Sequence, residues 1–335
     1  MSTVRPPQQG ERPRGLTIAI AGNPNCGKSA LFNALTGIRQ KTGNWPGVTV
    51  ERKEGRGRVD GRDVTVVDLP GIYSFDAASL DERVTRDYLL SRDADLVINV
   101  VDASNLERNL YFTVQLLEMG VPLVIALNMM DVARKRGVAV DAEALAARLG
   151  CPVVPIVATT QEGMSELKAR TLSVADNRQT SGFPLALDEA VEQALLRLEP
   201  LLDGSPEVNR RWLALKLLEG DGEGAPTAQT EAAVAEVRQW VSERFGKDLG
   251  LAIADSRYTH AHALAREVTR ESGTHKRTFS DRIDGLVLGR WSGVPIFLAV
   301  MYRMFLFTIN VGGAFIDLFD GVAGALFVDG LGELI

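Results

Sequence analysis

The 335-residue chain is short of what several common kinds of protein are built from. Two cysteines, Cys26 and Cys151, are too few for a disulfide framework and fit a reducing compartment. Three histidines make no metal-binding set: His260 and His262, two apart, point to different faces of a helix, and His275 stands by itself. Basic charge is not in excess; a net charge of −6 argues against nucleic-acid binding driven by electrostatics. The opening Met1 to Gly15 lacks an apolar run, so it is not a secretory signal, and residues 1–14 read as a disordered tail. There is no internal repeat. What remains is ordinary globular composition, 45% apolar and 24% charged, with length for about two domains.

The feature that organises the chain is Gly22-Asn23-Pro24-Asn25-Cys26-Gly27-Lys28-Ser29. Leu16 to Ala21 before it is apolar and β-branched enough for a buried strand. Ser29 to Leu35 after it carries Leu31, Phe32 and Leu35 at helical spacing and stops at Gly37. A strand, a glycine loop and a helix give G-x-x-x-x-G-K-S the context of a phosphate cradle. Backbone N–H groups and the helix N-terminus face the anion, Lys28 adds a mobile cation, and Ser29 offers a hydroxyl to Mg²⁺.

Residues 15–175 alternate strands and helices. Strands are expected at Asp63 to Val67, Leu96 to Val101, Pro122 to Leu127 and Val153 to Val157, with helices at Asn105 to Met119 and from Met164. This predicts a mostly parallel sheet with ligands beyond the carboxyl ends of its strands. After Ser181 strands give way to an all-helical domain, 180–273. Asp188 caps a helix with Val191, Leu195 and Leu198. Ser205-Pro206 opens one with Trp212, Leu213 and Leu217 that closes at Gly220. Val234, Val237, Trp240 and Val241 line a third that ends before Gly246, and a fourth runs from Asp255 to Glu271. Residues 276–335 form a juxtamembrane segment and a first transmembrane region. Val294 to Gly313 has the length of a bilayer span, interrupted by Arg303, and Phe305, Phe307, Phe315, Phe319 and Phe327 keep the composition apolar. Arg270, Lys276, Arg277 and Arg282 ahead of it put the preceding domains in the cytoplasm.

Further motifs fall at strand ends. Asp68-Leu69-Pro70-Gly71, forty residues past Lys28, sets a carboxylate for Mg²⁺ and a Gly71 N–H for a γ-phosphate. In Gly47-Val48-Thr49-Val50-Glu51, the Thr49 hydroxyl completes the Mg²⁺ shell when a γ-phosphate is present, or else Thr49 merely starts a strand. Asn128-Met129-Met130-Asp131 offers a carboxylate that accepts from guanine N1–H and its amine, while Asn128 ties this loop to the phosphate loop. Ala158-Thr159-Thr160 supplies a backbone N–H to the guanine O6. Ile72 stands where Ras-type GTPases carry the glutamine that orients water, and isoleucine cannot do that. Arg52 and Arg62 are near in sequence, without being identifiable as an arginine finger. Asn25 either braces its loop or helps hold a monovalent cation beside the phosphates. Cys26 reads as a space-filler, Trp212 and Trp240 as core, and Trp45, in a glycine-flanked loop with no strand to pack in, as functional.

These strings resemble the FeoB family of bacterial ferrous-iron transport proteins. The likeness is carried by the phosphate loop, by Gly43-Asn44-Trp45-Pro46-Gly47-Val48-Thr49-Val50-Glu51-Arg52-Lys53-Glu54-Gly55, and by Asp68-Leu69-Pro70-Gly71-Ile72-Tyr73-Ser74. Thr278-Phe279-Ser280-Asp281-Arg282-Ile283-Asp284 and Asn310-Val311-Gly312-Gly313 add to it. The resemblance implies a cytoplasmic GTPase domain, a helical domain similar to guanine-nucleotide dissociation inhibitors, and the start of a ferrous-iron permease of the bacterial inner membrane. It implies K⁺ held by Asn25 and by the carbonyls of Gly43 and Trp45, with K⁺-stimulated hydrolysis. It leaves room for a small FeoA-type accessory protein and a homo-oligomer. Two positions depart from the family pattern: Arg303 in the first span, and Ala158 where serine is usual.

The reading is therefore an α/β P-loop GTPase domain followed by an all-α domain and the start of a membrane region. Its cofactors are GTP, Mg²⁺ and K⁺, with Fe²⁺ as the transported substrate. Residues cast as catalytic are Asn25, Lys28, Thr49 and Gly71. The alternatives are a soluble GTPase of the ribosome-assembly or tRNA-modification type, and a P-loop ATPase or small-molecule kinase. The first lacks the basic RNA-binding appendage it needs, and the second leaves Asn128 and Asp131 without a purpose.

Overall fold

The computed structural model describes residues 15–37, 40–75, 79–177, 180, 185–202, 209–220, 227–271, 283, 286–289 and 292–323. The tail at 1–14, Ser205-Pro206 and most of the 278–284 string lie outside the described residues. Two compact units divide the chain, Met1–Gly273 and Thr274–Ile335.

The first unit is built on a seven-stranded sheet. Its strands are β1 (Leu16–Gly22), β2 (Gln40–Asn44), β3 (Glu51–Val59), β4 (Arg62–Asp68), β5 (Leu96–Asp102), β6 (Leu123–Asn128) and β8 (Val153–Pro155), in the order β2-β3-β4-β1-β5-β6-β8. From β4 to β8 every pairing is parallel; β2 and β3 are antiparallel additions at one side. Because neighbouring side chains alternate across a strand, the sheet feeds two cores. Ala19, Ala21, Val67, Val97, Val101, Ile125 and Leu127 pack on one face, and Ile18, Ile20, Val66, Ile98, Val100, Val124 and Ala126 on the other. Each such fully buried Val, Leu or Ile contributes about 1.5–3 kcal/mol, which is why the central strands read as unbroken apolar runs.

Helices α1 (Lys28–Thr36) and α6 (Met164–Asn177) cover one face; α2 (Leu80–Leu90), α3 (Leu106–Met119) and α5 (Ala142–Leu149) bury side chains in the other core. A short α4 (Met130–Lys135) and a strand β7 (Val138–Val140) join β6 to α5. The helical domain comprises α7 (Glu189–Leu198), α8 (Arg210–Glu219), α9 (Ala228–Phe245) and α10 (Leu249–Val268), around a core of Leu195, Leu198, Leu215, Leu218, Val241 and Ile253. It is not free-standing. Trp212, Ala261, Leu264, Ala265 and Val268 are buried in the same core as α3.

Several expectations are corrected. The helix expected from Ser205-Pro206 begins with Asn209, whose side chain accepts from Arg211 N–H. The last helix starts earlier, capped by Asp248, and ends at Val268. Strands do not vanish after Ser181: β9 (Thr269–Glu271) pairs antiparallel with β7, which fastens the end of the helical domain to the α/β domain.

A buried ionic cluster closes the seam between the domains. Arg257 of α10, fully buried, pairs with Glu118 of α3 at 2.8 Å and with Glu219 of α8. Burial pushes the Glu118 carboxyl up, and Arg257 pulls against that shift. In the second unit, α11 (Gly293–Ala323) holds a 21-residue stretch, Gly293–Gly313, with mean hydropathy 1.8 and no buried residues. At 1.5 Å per residue it reaches roughly 30 Å, a bilayer's hydrocarbon thickness.

Breaking a buried ion pair from one side leaves an uncompensated charge, at a cost of about 3–5 kcal/mol. Arg257→Met is expected to lose that much in urea unfolding, and to lose less as pH is lowered. The sign follows from Glu118: with its carboxyl pushed up, the folded state takes up the proton that removes the unpaired charge. A loss under about 1 kcal/mol contradicts this assignment.

Candidate functional site

The glycine loop runs from the carboxyl end of β1 into α1. Asn25 and Gly27 adopt left-handed conformations, φ 64° and 98°. At Gly27 the need for glycine is twofold, since a Cβ there would also collide with Nδ2 of Asn128. Lys28 folds back over the loop, its Nζ donating to the carbonyls of Gly22 at 3.1 Å and Asn23 at 3.0 Å. Asn23 Nδ2 donates to the Arg108 carbonyl at 3.2 Å, which fixes the loop to the start of α3. Cys26 is buried and its thiol is pushed up to about 11 by that burial, so it is a filler rather than a redox group.

An open cleft of about 390 Å³ lies over this loop, lined by Pro24, Asn25, Lys28, Ser29, Val50, Glu51, Lys53, Asp68, Leu69, Pro70, Gly71 and Asp81. Gly71 sits so close that a Cβ would meet Lys28 Nζ at 2.6 Å and Pro24 Cα at 3.2 Å. Asp68 ends β4, 9% exposed, with Oδ1 buried and without a hydrogen-bond partner among the described residues. Burial raises its pKa while Lys28 and Lys53 pull the other way. A buried carboxylate oxygen with no donor is costly unless a cation meets it, and with the Ser29 hydroxyl on the same cleft the pair fits a hard, oxygen-seeking ion such as Mg²⁺.

The base-side loop is tied to the phosphate side by one amide. Asn128 Nδ2 donates to the Cys26 carbonyl at 2.9 Å, and its Oδ1 accepts from Ala158 N–H at 3.0 Å. Three loops at the ends of β1, β6 and β8 are thereby held together. With the Ala158 N–H committed to Asn128, Thr159, which is exposed, is the next donor along. Met129 has a left-handed backbone, φ 61°, that turns the chain into α4. Met130 is half-buried, and the Asp131 carboxylate is 42% exposed with Lys135 3.7 Å away.

Other predicted residues are placed elsewhere. Gly43 is paired with Arg52 in the β2–β3 hairpin, and the Trp45 carbonyl accepts from Val48 N–H at 3.2 Å. Gly47 and Thr49 are exposed and Val48 is half-buried in the turn that follows; of this stretch Val50 and Glu51 reach the cleft lining. Neither Gly43 nor Trp45 is among the residues that line the cleft with Asn25. The Trp45 ring is core: it packs edge-on against Tyr88 at 5.1 Å, with Arg52 over it at 4.8 Å. Arg52 also pairs with Glu54, and Arg62 with Asp176, so neither is aimed at the cleft. Ile72 turns into the core, 3% exposed.

Sequence reasoning missed Lys53 and Asp81. Asp81 was legible in principle, because Ser79 and Glu82 form a capping box that starts α2 just after the Asp68 motif and sets Asp81 in its first turn. Lys53 was hidden in a charged strand with no apolar alternation. His262 faces Glu107 at 3.0 Å, and no metal-binding cluster of His, Cys, Asp or Glu exists among the described residues.

A phosphate loop on β1, an aspartate at the end of the neighbouring parallel strand and an Asn-x-x-Asp loop on β6 define a P-loop G domain. The family model of ferrous iron transport protein B matches residues 16–171, and that of the FeoB cytosolic helical domain matches 188–270. The Fe(2+) transporter FeoB of Escherichia coli (strain K12) is 46% identical over 328 residues, 94% of this chain and 41% of the relative. A GDP-bound variant of the S. thermophilus FeoB G-domain is 38% identical, covering 76% of this chain and 100% of that one, with a TM-score of 0.71. The cytosolic domain of T. maritima FeoB in its GMPPNP form has the same identity and coverages and a TM-score of 0.68. The chain belongs to the FeoB family. It spans 41% of the length of the E. coli relative.

Proposed function

We propose that the chain is the guanine-nucleotide-binding, GTP-hydrolysing part of a bacterial ferrous-iron transporter, with its G and helical domains on the cytoplasmic side of the inner membrane. The observation that carries the nucleotide reading is the Asn128 amide, which makes the base loop and the phosphate loop one unit. Asp131 then selects guanine, because adenine lacks the two donors that its carboxylate needs. The relatives solved with GDP and GMPPNP support the same ligand class.

Within the cleft, Lys28 and the loop N–H groups hold the phosphates, and Gly71 N–H meets the γ-phosphate. Ser29 and Asp68 would hold Mg²⁺, joined by Thr49 when its loop closes, and the ion would supply positive charge against the phosphates. With Ile72 in the core, no side chain at that position orients water, and we assign the missing stabilisation to K⁺ on Asn25 with the Gly43 and Trp45 carbonyls. In this reading the turn between β2 and β3, whose Val50 and Glu51 already line the cleft, brings those carbonyls to the cation. The loops around Thr49 and Asp68 thus act as switches that tighten on GTP and relax after hydrolysis.

Iron transport is assigned from family membership, the E. coli relative being named an Fe(2+) transporter. The apolar stretch of α11 supports the membrane part, and a FeoA-type accessory protein and self-association belong to the same proposal. The soluble ribosome-assembly or tRNA-modification reading gains nothing from the family matches.

Two measurements test the site. Asp131→Asn is expected to move preference from guanine toward xanthine nucleotides by about tenfold to a hundredfold, and an unchanged preference contradicts a guanine site. Asn25→Ala is expected to abolish K⁺ stimulation of turnover while nucleotide affinity stays within about twofold. An equal response to K⁺ in both proteins discards the cation role.

A further inference from the structure

The segment that follows the Asp68 motif is tied to the helical domain through one side chain. From Gly71 at the cleft the chain reaches Phe75, fully buried, whose ring lies 5.1 Å from that of Phe112. Both polar groups of the Phe75 backbone are held. Its N–H donates to Gln115 Oε1 of α3 at 2.8 Å, and its carbonyl accepts from Lys216 Nζ of α8 at 3.0 Å. Lys216 is 4% exposed, and lysine is almost never that buried without a partner.

The lysine does have a counter-charge. Glu219 Oε2 lies 2.7 Å from its Nζ, and Glu219 pairs in turn with Arg257, which pairs with Glu118. Two cations and two anions balance. A neutralised network that holds the seam together accounts for Arg257, Glu118 and Glu219. The Lys216 ammonium has three N–H donors, and one that Glu219 leaves over crosses the domain boundary to the Phe75 carbonyl. That carbonyl stands four residues beyond Gly71, where a Cβ would touch both Lys28 and Pro24. A second stay lies between them: the Arg108 guanidinium sits 4.1 Å over the Tyr73 ring, and the Arg108 carbonyl holds Asn23 of the phosphate loop.

We infer that Lys216 is a positioning residue for the nucleotide site: its bond to the Phe75 carbonyl fixes the far end of the Gly71–Phe75 segment and so sets where the Gly71 N–H meets a γ-phosphate. The inference rests on the GTP reading above. It makes the helical domain part of the discrimination between nucleoside triphosphate and diphosphate, since the Gly71 contact exists only with the triphosphate.

The test uses the 335-residue chain in detergent, with GDP and GMPPNP affinity and GTP turnover measured for four proteins. These are the wild type, Lys216→Met, Lys216→Arg, and the double variant Lys216→Met with Glu219→Gln, which removes the lysine together with its counter-charge. Lys216→Met and the double variant are expected to lose at least about tenfold in GMPPNP affinity relative to GDP, with a parallel fall in kcat, the factor carried by a charge-assisted hydrogen bond. Lys216→Arg keeps a donor and recovers most of it. Should Lys216→Met fail to fold, the charge-balanced double variant carries the comparison. An unchanged GMPPNP-to-GDP ratio with a lowered melting temperature, or equal losses for both nucleotides, shows a merely structural lysine and overturns the inference while the GTP reading stands. A wild type that binds neither nucleotide overturns the GTP reading and the inference with it.

Discussion

One primary amide, that of Asn128, sets the constraint on which the nucleotide site depends. Its nitrogen reaches the Cys26 carbonyl, 102 residues away in the chain, and its oxygen takes the Ala158 N–H. An amide carries its donor and its acceptor on separate atoms, so it makes both bonds at once in two directions. The parallel sheet makes this possible, because β1, β6 and β8 all end on one side and deliver their loops to the same place. Glycine at position 27 leaves the space the amide fills. The geometry binds phosphate recognition to base recognition.

Two segments beside that frame are anchored from outside it. The β2–β3 hairpin is polar, and the Trp45 ring anchors it against Tyr88 of α2. The segment after Asp68 is pinned at Tyr73 by Arg108 and at Phe75 by Gln115 and Lys216. Both therefore converge on helices α2, α3 and α8. The helical domain shares a core with α3 and closes through β9 on β7, so it is built into the same body as the nucleotide site.

Much of this was legible in the sequence. Buried parallel strands announce themselves because both faces must be apolar, and the phosphate, aspartate and Asn-x-x-Asp loops sit at their ends. What escaped has physical reasons. The run Glu51–Val59 is charged at most positions, because strands near a sheet edge face solvent, and it shows no alternation. β7 and β9 are three residues each, too short for a pattern. Trp45 was expected to be functional because no strand stood near it; with β2 and β3 unrecognised, its core role was invisible. Ile72 was read as a missing catalytic group, and the structure adds that it is packed into the core. Lys216 gave no sign at all, since a buried lysine looks like a surface one in sequence.

The central claim is that a single amide couples the two halves of the nucleotide site. Calorimetric titration of GDP into the wild type and into Asn128→Ala tests it most directly. The account predicts that the variant binds at least about tenfold more weakly, and that it also loses about 1–3 kcal/mol of stability because the Cys26 carbonyl and the Ala158 N–H are left buried without their partner. Equal affinities in the two proteins would contradict it.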